Sequence, residues 1–427
     1  MHKKDYDYIK ETVYTEQLDN GLTVILLPKQ GLSKTYAIFS TNYGSIDRTF
    51  TPIGQDEMIT VPDGVAHFLE HKLFEKKDYD VFADFSKQGA SANAFTSFTK
   101  TAYLFSATNH VEKNVETLLD FVQDPYFSDQ SVEKEKGIIG QEITMYDDQS
   151  DWQSFMGTLK ALFHEFPVNI DIAGTVTSID TITKEILYTC YNTFYHPENM
   201  TFFVTGNFEP EKMMVLIKQN QAKKSFEKMT EIKREYPKEA LEVAHQHYTM
   251  HMPVSTPKCT IGIKESVTSL EKDAFVQRDI FQDMILTYFF SKGGPFYEEL
   301  YDEHLIDASF FFETNLEKTF GYSIIGGNSQ KPDEFIRRVK ELLMSTRSKV
   351  LTDNEVEQMK RKKIGQLIRS LNSLESTANK FIHYHTVGVD YFSLIPTIQS
   401  VTTEDANRFL QDWIKPECMA SSIIMAE

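Results

Sequence analysis

The chain has 427 residues, of which 41% are hydrophobic and 25% charged, a length and composition that exclude disordered and fibrous classes and favour two globular domains. The formal net charge of −18 at pH 7 argues against a nucleic-acid partner, because affinity for a phosphate backbone comes from Lys and Arg. The three cysteines form no CxxC pair, residues 1–6 lack the apolar core of a signal peptide, and no apolar run is long enough to span a membrane. We therefore expect a cytoplasmic protein without a disulfide framework.

Apolar periodicity and turn residues along the first half of the chain predict strands alternating with helices. Strands are predicted at 12–18, 22–27, 35–41, 92–97, 102–106 and 200–206. The first two form a hairpin around Asp19-Asn20-Gly21, and the fourth and fifth also pair. Helices are predicted at 64–74, 79–88, 112–123 and 129–148, and after Pro210.

The second half is expected to repeat the first. A charged stretch poor in core residues, 218–242, predicts an interdomain linker, which we place at 226–245. Strand-like and helix-like segments recur after it in a similar order and end in a strand at 421–425, which indicates duplication of an α+β unit. The predicted domains are therefore 1–225 and 246–427.

A candidate metal site begins with His67-Phe68-Leu69-Glu70-His71 on the helix predicted at 64–74. Histidines four apart lie about one turn apart on one helix face, so both imidazoles can bind one ion. Glu70 lies on an adjoining face, where it can act as a general base without binding the metal. Zinc held by two histidines and one carboxylate keeps its fourth position for water and lowers the pKa of that water to about 7. The motif thus favours hydrolysis.

The third ligand has to come from a distant acid. Glu142, on the separate helix predicted at 129–148, is the best candidate, and Glu135 lies seven residues earlier on the same face. From there Glu135 can orient Glu142 or a histidine. The competing interpretation of the motif is a solvated pair of histidines.

The segment from Gly64 to Phe74 strongly resembles the signature of the pitrilysin/insulinase family of inverzincin peptidases. Further matching segments fall in the family's order: Asn20–Val24, Gly44-Ser45, Ser91–Ser97, Tyr103, Ile172–Thr175 and Tyr195–Met200. The resemblance covers nearly the whole chain, although its motifs are concentrated in the first half. It is greatest to the short, two-domain branch that includes mitochondrial processing peptidase.

The resemblance implies a fold and a metal site. It implies two homologous α+β domains, each a mainly antiparallel sheet flanked by helices. The first domain would bind one zinc ion through His67, His71 and Glu142, and the second would be inactive and contribute to a chamber.

The resemblance also implies an activity, that of a zinc metalloendopeptidase. Glu70 matches the general base, and Glu135 matches the acid that supports the zinc ligands from behind. Asn93, Ala94 and Phe95 match the edge strand that pairs with an extended peptide substrate.

The second half departs from the family pattern. Active relatives usually carry an Arg and a Tyr there, after a Gly-rich turn, to hold the substrate and its oxyanion, but residues 293–305 contain no arginine. Tyr301 or His304 could replace them, although acidic neighbours make this segment a poor oxyanion clamp. Short-branch relatives complete their site by pairing two homologous chains, so we predict a heterodimer whose partner supplies Arg and Tyr. The alternative is a homodimer that uses Tyr301 or Tyr322.

Two other functions compete with the peptidase. A non-catalytic subunit that binds peptides or scaffolds a family heterodimer would have no need of the general base Glu70. A zinc amidohydrolase for small molecules would have no need of the edge strand at Asn93-Ala94-Phe95. Both are therefore less favoured.

Overall fold

The computed structural model describes residues 1–265, 267 and 270–427 of the chain. Its strands are β1 (His2–Tyr6), β2 (Glu11–Gln17), β3 (Thr23–Pro28), β4 (Thr35–Thr41), β5 (Thr49–Phe50), β6 (Ile59–Thr60), β7 (Ala90–Thr96), β8 (Thr101–Ala107), β9 (Met200–Gly206), β10 (Arg234–Glu235), β11 (His247–Met252), β12 (Lys258–Lys264), β13 (Phe311–Leu316), β14 (Gly321–Asn328) and β15 (Met419–Ala426).

The α-helices complete the secondary structure. They are α1 (Val65–Phe74), α2 (Phe82–Lys87), α3 (Val111–Val122), α4 (Asp129–Asp147), α5 (Ser150–Leu162), α6 (Val176–Asp180), α7 (Lys184–Phe194), α8 (Pro210–Gln221), α9 (Lys272–Phe290), α10 (Pro295–Asp302), α11 (Pro332–Ser345), α12 (Asp353–Ser370), α13 (Leu374–Thr386), α14 (Leu394–Ser400) and α15 (Thr403–Trp413). No helix among the described residues is long and apolar enough to cross a lipid bilayer.

The elements predicted for the first half are present, with small differences in their bounds. The helix predicted at 79–88 is shorter, because the backbone N–H of Lys76 donates to Tyr79 O at 2.9 Å and closes a turn before α2 begins. Part of the stretch predicted as a linker is ordered: β10 pairs antiparallel with β5.

The chain folds into two compact units, and neither is a single stretch of sequence. Unit 1 comprises Met1–Ile143, Asp171–Tyr236 and Ser370–Thr386, and unit 2 comprises Thr144–Ile170, Pro237–Arg369 and Val387–Glu427. The units therefore differ from the linear division at 226–245.

The two exchanged segments are helical and bury apolar side chains where they dock. In unit 2, α5 packs on β11, β12 and β15, and its Leu159 and Leu162 are fully buried. In unit 1, α13 packs on β4 and β9, with the rings of Phe381 and Phe203 5.2 Å apart. Burial of apolar surface thus assigns each helix to its unit.

Each unit is built on one main sheet. The sheet of unit 1 has the order β1-β2-β3-β9-β4-β8-β7, and that of unit 2 has the order β11-β15-β12-β14-β13. In unit 1, β3 runs parallel to β9, and in unit 2, β11 runs parallel to β15. The other neighbours from β9 to β7 and from β15 to β13 are antiparallel. The five strands from β3 to β7 in the sheet of unit 1 therefore have the same order and directions as the sheet of unit 2. This confirms a fold of two similar, mainly antiparallel α+β domains.

The start of α1 is fixed by two glycines that face each other. Gly64 has φ 91°, and a Cβ there would lie 2.4 Å from Ala173 O. Gly174 has φ 76°, and a Cβ there would lie 2.6 Å from Asp63 O. A side chain at either position would be strained and would force the two loops apart. The close approach of these loops sets where the motif helix begins.

Candidate metal centre

Helix α1 presents the two histidines one turn apart. Phe68 and Leu69, which lie between them in sequence, are fully buried and fix the rotation of the helix against the core of unit 1. The rings of His67 and His71 are 4.6 Å apart, centroid to centroid, and both side chains are largely shielded from solvent. The predicted pair of ligands therefore lies on one face.

Helix α4 brings the third acid to this face. Glu142 Oε2 lies 3.8 Å from His67 Nε2 and 3.4 Å from His71 Nε2. One ligand atom from each of the three residues lies within 4.8 Å of the others. Atoms bound to one tetrahedral zinc at about 2.0–2.2 Å are roughly 3.4 Å apart. The nitrogen and oxygen donors that were predicted from sequence therefore converge in an arrangement that fits such an ion.

Glu135 holds one of the histidines. It is buried, and its Oε1 lies 3.0 Å from His71 Nδ1, which leaves His71 Nε2 directed at Glu142. Of the two roles considered for Glu135, the structure therefore shows the contact with a histidine. The Nδ1 atom of His67 is buried and has no hydrogen-bond partner among the described residues, so that atom contributes no hydrogen bond to the orientation of the ring.

The protonation of the histidines differs. Burial, together with the neighbouring His71, lowers the pKa of His67 to about 3, so this imidazole is neutral at pH 7, the form that binds metals. Burial also lowers the pKa of His71, but the hydrogen bond to Glu135 and the charges of Glu70 and Glu142 outweigh it, and the net pKa is raised. A bound cation would compete with that proton.

Glu70 lies on the same helix as the two histidines but is not part of the group of three ligands, as expected for a base. Its Oε2 accepts a hydrogen bond of 2.6 Å from Thr96 Oγ1. Burial raises the pKa of the Glu70 carboxyl, although the bond from Thr96 and the neighbouring His71 oppose this, and Glu142 adds to it. A raised pKa suits a group that must take up a proton near neutral pH.

Strand β7 lies at the edge of its sheet, next to α1. Its Ala94 N–H donates to the side-chain Oδ1 of the preceding Asn93 at 2.9 Å rather than to β8. This backbone donor therefore faces the open edge. Asn93 and Ala94 also line the cavity next to the ligands, whereas Phe95, the third residue predicted to bind substrate, does not.

A cavity of about 610 Å³ opens beside Glu70 and His71. Part of its lining is apolar and comes from Phe74, Tyr79, Phe82, Ala94 and Ile138. Charged side chains of both signs, among them Glu75, Lys77, Asp78 and Lys134, line the rest. The rings of Phe74 and Phe82 stack 4.2 Å apart. This cavity was not predicted from the sequence. Its walls come from α1, α2, β7 and α4, and no local sequence pattern predicts that these elements pack together.

Thr96 was also missed as a contact of Glu70. It stands directly after Asn93-Ala94-Phe95 in the sequence. Because side chains alternate along a strand, Ala94 and Thr96 face the same side. That alternation was the one sequence signal from which the position of the Thr96 hydroxyl beside α1 could have been predicted.

Two family models match the chain. Residues 61–176 match the model described as Insulinase (Peptidase family M16), and residues 181–363 match the model described as Peptidase M16 inactive domain. The first match contains all the residues of the metal centre, and the second contains α9 to α11.

One similar protein matches nearly the whole chain and another matches half of it. The chain is 47% identical to the zinc protease YmfH of Bacillus subtilis, over 96% of each sequence. It is also 27% identical to the zinc protease AlbF of Bacillus subtilis over 50% of each sequence.

Solved structures share the fold. An M16-like peptidase from Alicyclobacillus acidocaldarius superposes with a TM-score of 0.93 at 39% identity, covering 98% of this chain and 99% of that one. A protease from Helicobacter pylori superposes with a TM-score of 0.81 at 19% identity, covering 97% and 99%.

The geometry predicts one zinc ion per chain. Replacing His67, His71 or Glu142 by Ala removes a donor and should abolish stoichiometric binding, measured by elemental analysis and by titration against a competing chelator. Glu135→Gln keeps all three donors but weakens the support of His71, so zinc affinity should fall about 10- to 100-fold. Glu133→Gln, an exposed position on the same helix, is the matched control and should bind as the wild type does. Full occupancy in all three alanine variants would contradict the assignment.

Proposed function

Because the chain belongs to the insulinase family of M16 peptidases, we propose that it is a zinc-dependent endopeptidase that cleaves peptides or extended segments of polypeptide, with Glu70 as its general base. The observation that carries this proposal is the convergence of His67, His71 and Glu142 beside the half-buried carboxylate of Glu70, which is not part of that group. A structural zinc site is closed by four protein ligands, whereas a hydrolytic one keeps a position open. Three protein donors fit the second kind.

The residues of the site divide the chemistry between them. His67, His71 and Glu142 would hold the ion, which when bound supplies a Lewis acid that polarises a carbonyl and acidifies water. Glu70 takes a proton from the attacking water and can return it to the leaving amide nitrogen. Glu135 holds His71 in place through a hydrogen bond.

The edge strand and the cavity support a peptide as substrate. An extended peptide can add to β7 through backbone hydrogen bonds, for which Ala94 N–H is an available donor once the Asn93 side chain moves aside. A large apolar side chain next to the cleaved bond would fit the cavity lined by Phe74, Tyr79 and Phe82. Since this binding mode needs an extended backbone, compact folded domains should be spared.

Glu70→Gln tests the role of the base. The amide retains the shape of the side chain and its acceptor oxygen but cannot take up a proton, so zinc content should be unchanged. Turnover of a fluorogenic peptide should fall by about three orders of magnitude or more. Cleavage at a near-normal rate by the zinc-loaded variant would remove Glu70 from the mechanism.

Ala94→Pro tests the edge strand. Proline has no N–H, and it is tolerated at sheet edges, so the variant should fold and bind zinc while losing one backbone donor to the peptide. We expect KM to rise about tenfold, as for a lost hydrogen bond. Ala94→Val, which keeps the N–H, is the matched control for added bulk. Normal KM in a folded Ala94→Pro variant would rule out peptide pairing at this position.

We propose further that the working enzyme is a heterodimer with a homologous chain that supplies an Arg and a Tyr for the substrate oxyanion. Helix α10 contains no arginine. Arg338, which does contact this helix, is bound to Glu299 and Glu303. For the homodimer alternative, Tyr301 is 57% exposed but Tyr322 only 4%, so that alternative depends on Tyr301.

Turnover measured with and without a second chain distinguishes the two assemblies. One oxyanion donor contributes about 10²- to 10³-fold in rate, so adding the correct homologous chain from the same organism should raise peptide turnover by that factor at unchanged zinc content. If the homodimer is correct, the chain is fully active alone and Tyr301→Phe lowers that activity by about 10²- to 10³-fold. Full unassisted turnover that no homologous chain increases would refute the heterodimer.

A further inference from the structure

The side chain of Glu70 is tied to the edge strand by a single short hydrogen bond, from Thr96 Oγ1 to Glu70 Oε2 at 2.6 Å. We propose that Thr96 is a positioning residue that holds the general base in its reactive orientation. This inference rests on the proposed peptidase function. It assigns a role to a hydroxyl that neither binds the metal nor belongs to the three residues expected to pair with the peptide.

The hydroxyl proton of Thr96 is available for Glu70. The nearest hydroxyl is that of Thr101, 3.4 Å away across the β7–β8 pair. Thr101 donates its own proton to Tyr43 O at 2.9 Å, so it does not need Thr96 as an acceptor. The 2.6 Å bond to Glu70 is the shorter contact by a wide margin, as expected for a hydrogen bond to a carboxylate.

Thr96 is itself held by a hydrogen-bonded turn. It is the last residue of β7, and the turn that follows is closed by Ser97 N–H donating to Lys100 O at 2.8 Å. This turn docks on the loop at 44–46, where Ser45 N–H and Ile46 N–H donate to Ser97 O and Phe98 O at 3.1 Å each. A Cβ on Gly44 would lie 2.3 Å from Phe98 O, so the approach requires glycine.

A buried carboxylate fixes that loop in turn. Asp47 is 4% exposed, and its oxygens accept hydrogen bonds from Gly44 N–H at 2.9 Å and Tyr236 OH at 2.6 Å. Arg234 Nε lies 3.0 Å from the same carboxylate. Thr96 is thus connected to the core of unit 1 through bonds that leave it little freedom, which a positioning residue needs.

The bond has two consequences for Glu70. Its Oε2 is committed to Thr96, so the carboxylate cannot rotate freely and Oε1 is left to take a proton from water. Because Ala94 and Thr96 are two residues apart on one strand, the strand that would pair with the peptide also fixes the base at a set distance from it. The general base is thereby held in a fixed position relative to the bound peptide.

Two substitutions separate the hydroxyl from the rest of the side chain. Thr96→Val removes the hydroxyl at nearly constant volume, and Thr96→Ser retains it. With zinc-loaded protein, and the homologous chain if it is required, we measure kcat and KM on a fluorogenic peptide that the wild-type enzyme cuts. For Thr96→Val, kcat should fall about 10- to 100-fold at unchanged KM and zinc content, the range for a hydrogen bond to a charged group. Thr96→Ser should stay within about threefold of wild type.

A crystal structure of each variant gives a readout that does not depend on activity. The Glu70 side chain should keep its wild-type rotamer in Thr96→Ser and change or split its rotamer in Thr96→Val. Thr101→Val is the control for general damage to the β7–β8 pair: it should lower stability, through the lost bond to Tyr43 O, without lowering kcat.

Three results would overturn the proposal: wild-type kcat with an unmoved Glu70 in Thr96→Val, equal losses in the Val and Ser variants, or a higher KM at unchanged kcat. A wild-type enzyme that binds zinc but cuts no peptide would instead count against the peptidase function, and the rotamers of Glu70 would still decide the role of Thr96.

Discussion

The structure of unit 1 depends on holding two separate helices so that donors from each meet at one point. His67 and His71 come from α1 and Glu142 comes from α4, and their ligand atoms lie within 4.8 Å of one another. Neither helix carries all three metal ligands. The glycines that seat α1 against the loop at 173–174, and the buried side of α4, are therefore as necessary to the site as the ligands themselves.

Concentrating charge in this region has an energetic consequence. Glu70, Glu135 and Glu142 surround two imidazoles in a partly buried site, and like charges in a medium of low polarity repel one another strongly. Thr96 forms a hydrogen bond with Glu70, and His71 forms one with Glu135. Glu142 faces the two imidazole Nε2 atoms, where a divalent cation would offset the remaining negative charge. The same arrangement leaves Glu70 free to accept a proton.

Local chemistry could be predicted from sequence, whereas long-range packing could not. The helix that carries His67 and His71 and the β7–β8 pair were predicted because periodicity and turn residues act within a few positions. Assigning a third donor relied on helix placement and on family resemblance, and Glu142 does lie beside the histidines. Other features depend on contacts between distant residues, which no local pattern specifies. These features are the docking of α5 and α13 away from their sequence neighbours, the cavity beside Phe74 and the hydrogen bond from Thr96. The short β10, inside the stretch predicted as a linker, also forms only by pairing with β5.

We expect one zinc ion to be held by two imidazoles and one carboxylate, with a position left for water. X-ray absorption spectroscopy of the zinc-loaded wild-type chain tests this coordination most directly, because it measures the type of ligand and its distance from the zinc without an activity assay. The spectrum should show two imidazole nitrogens and oxygen donors at about 2.0–2.2 Å, with no sulfur. A thiolate shell at about 2.3 Å, or zinc bound by water alone on the protein surface, would contradict it.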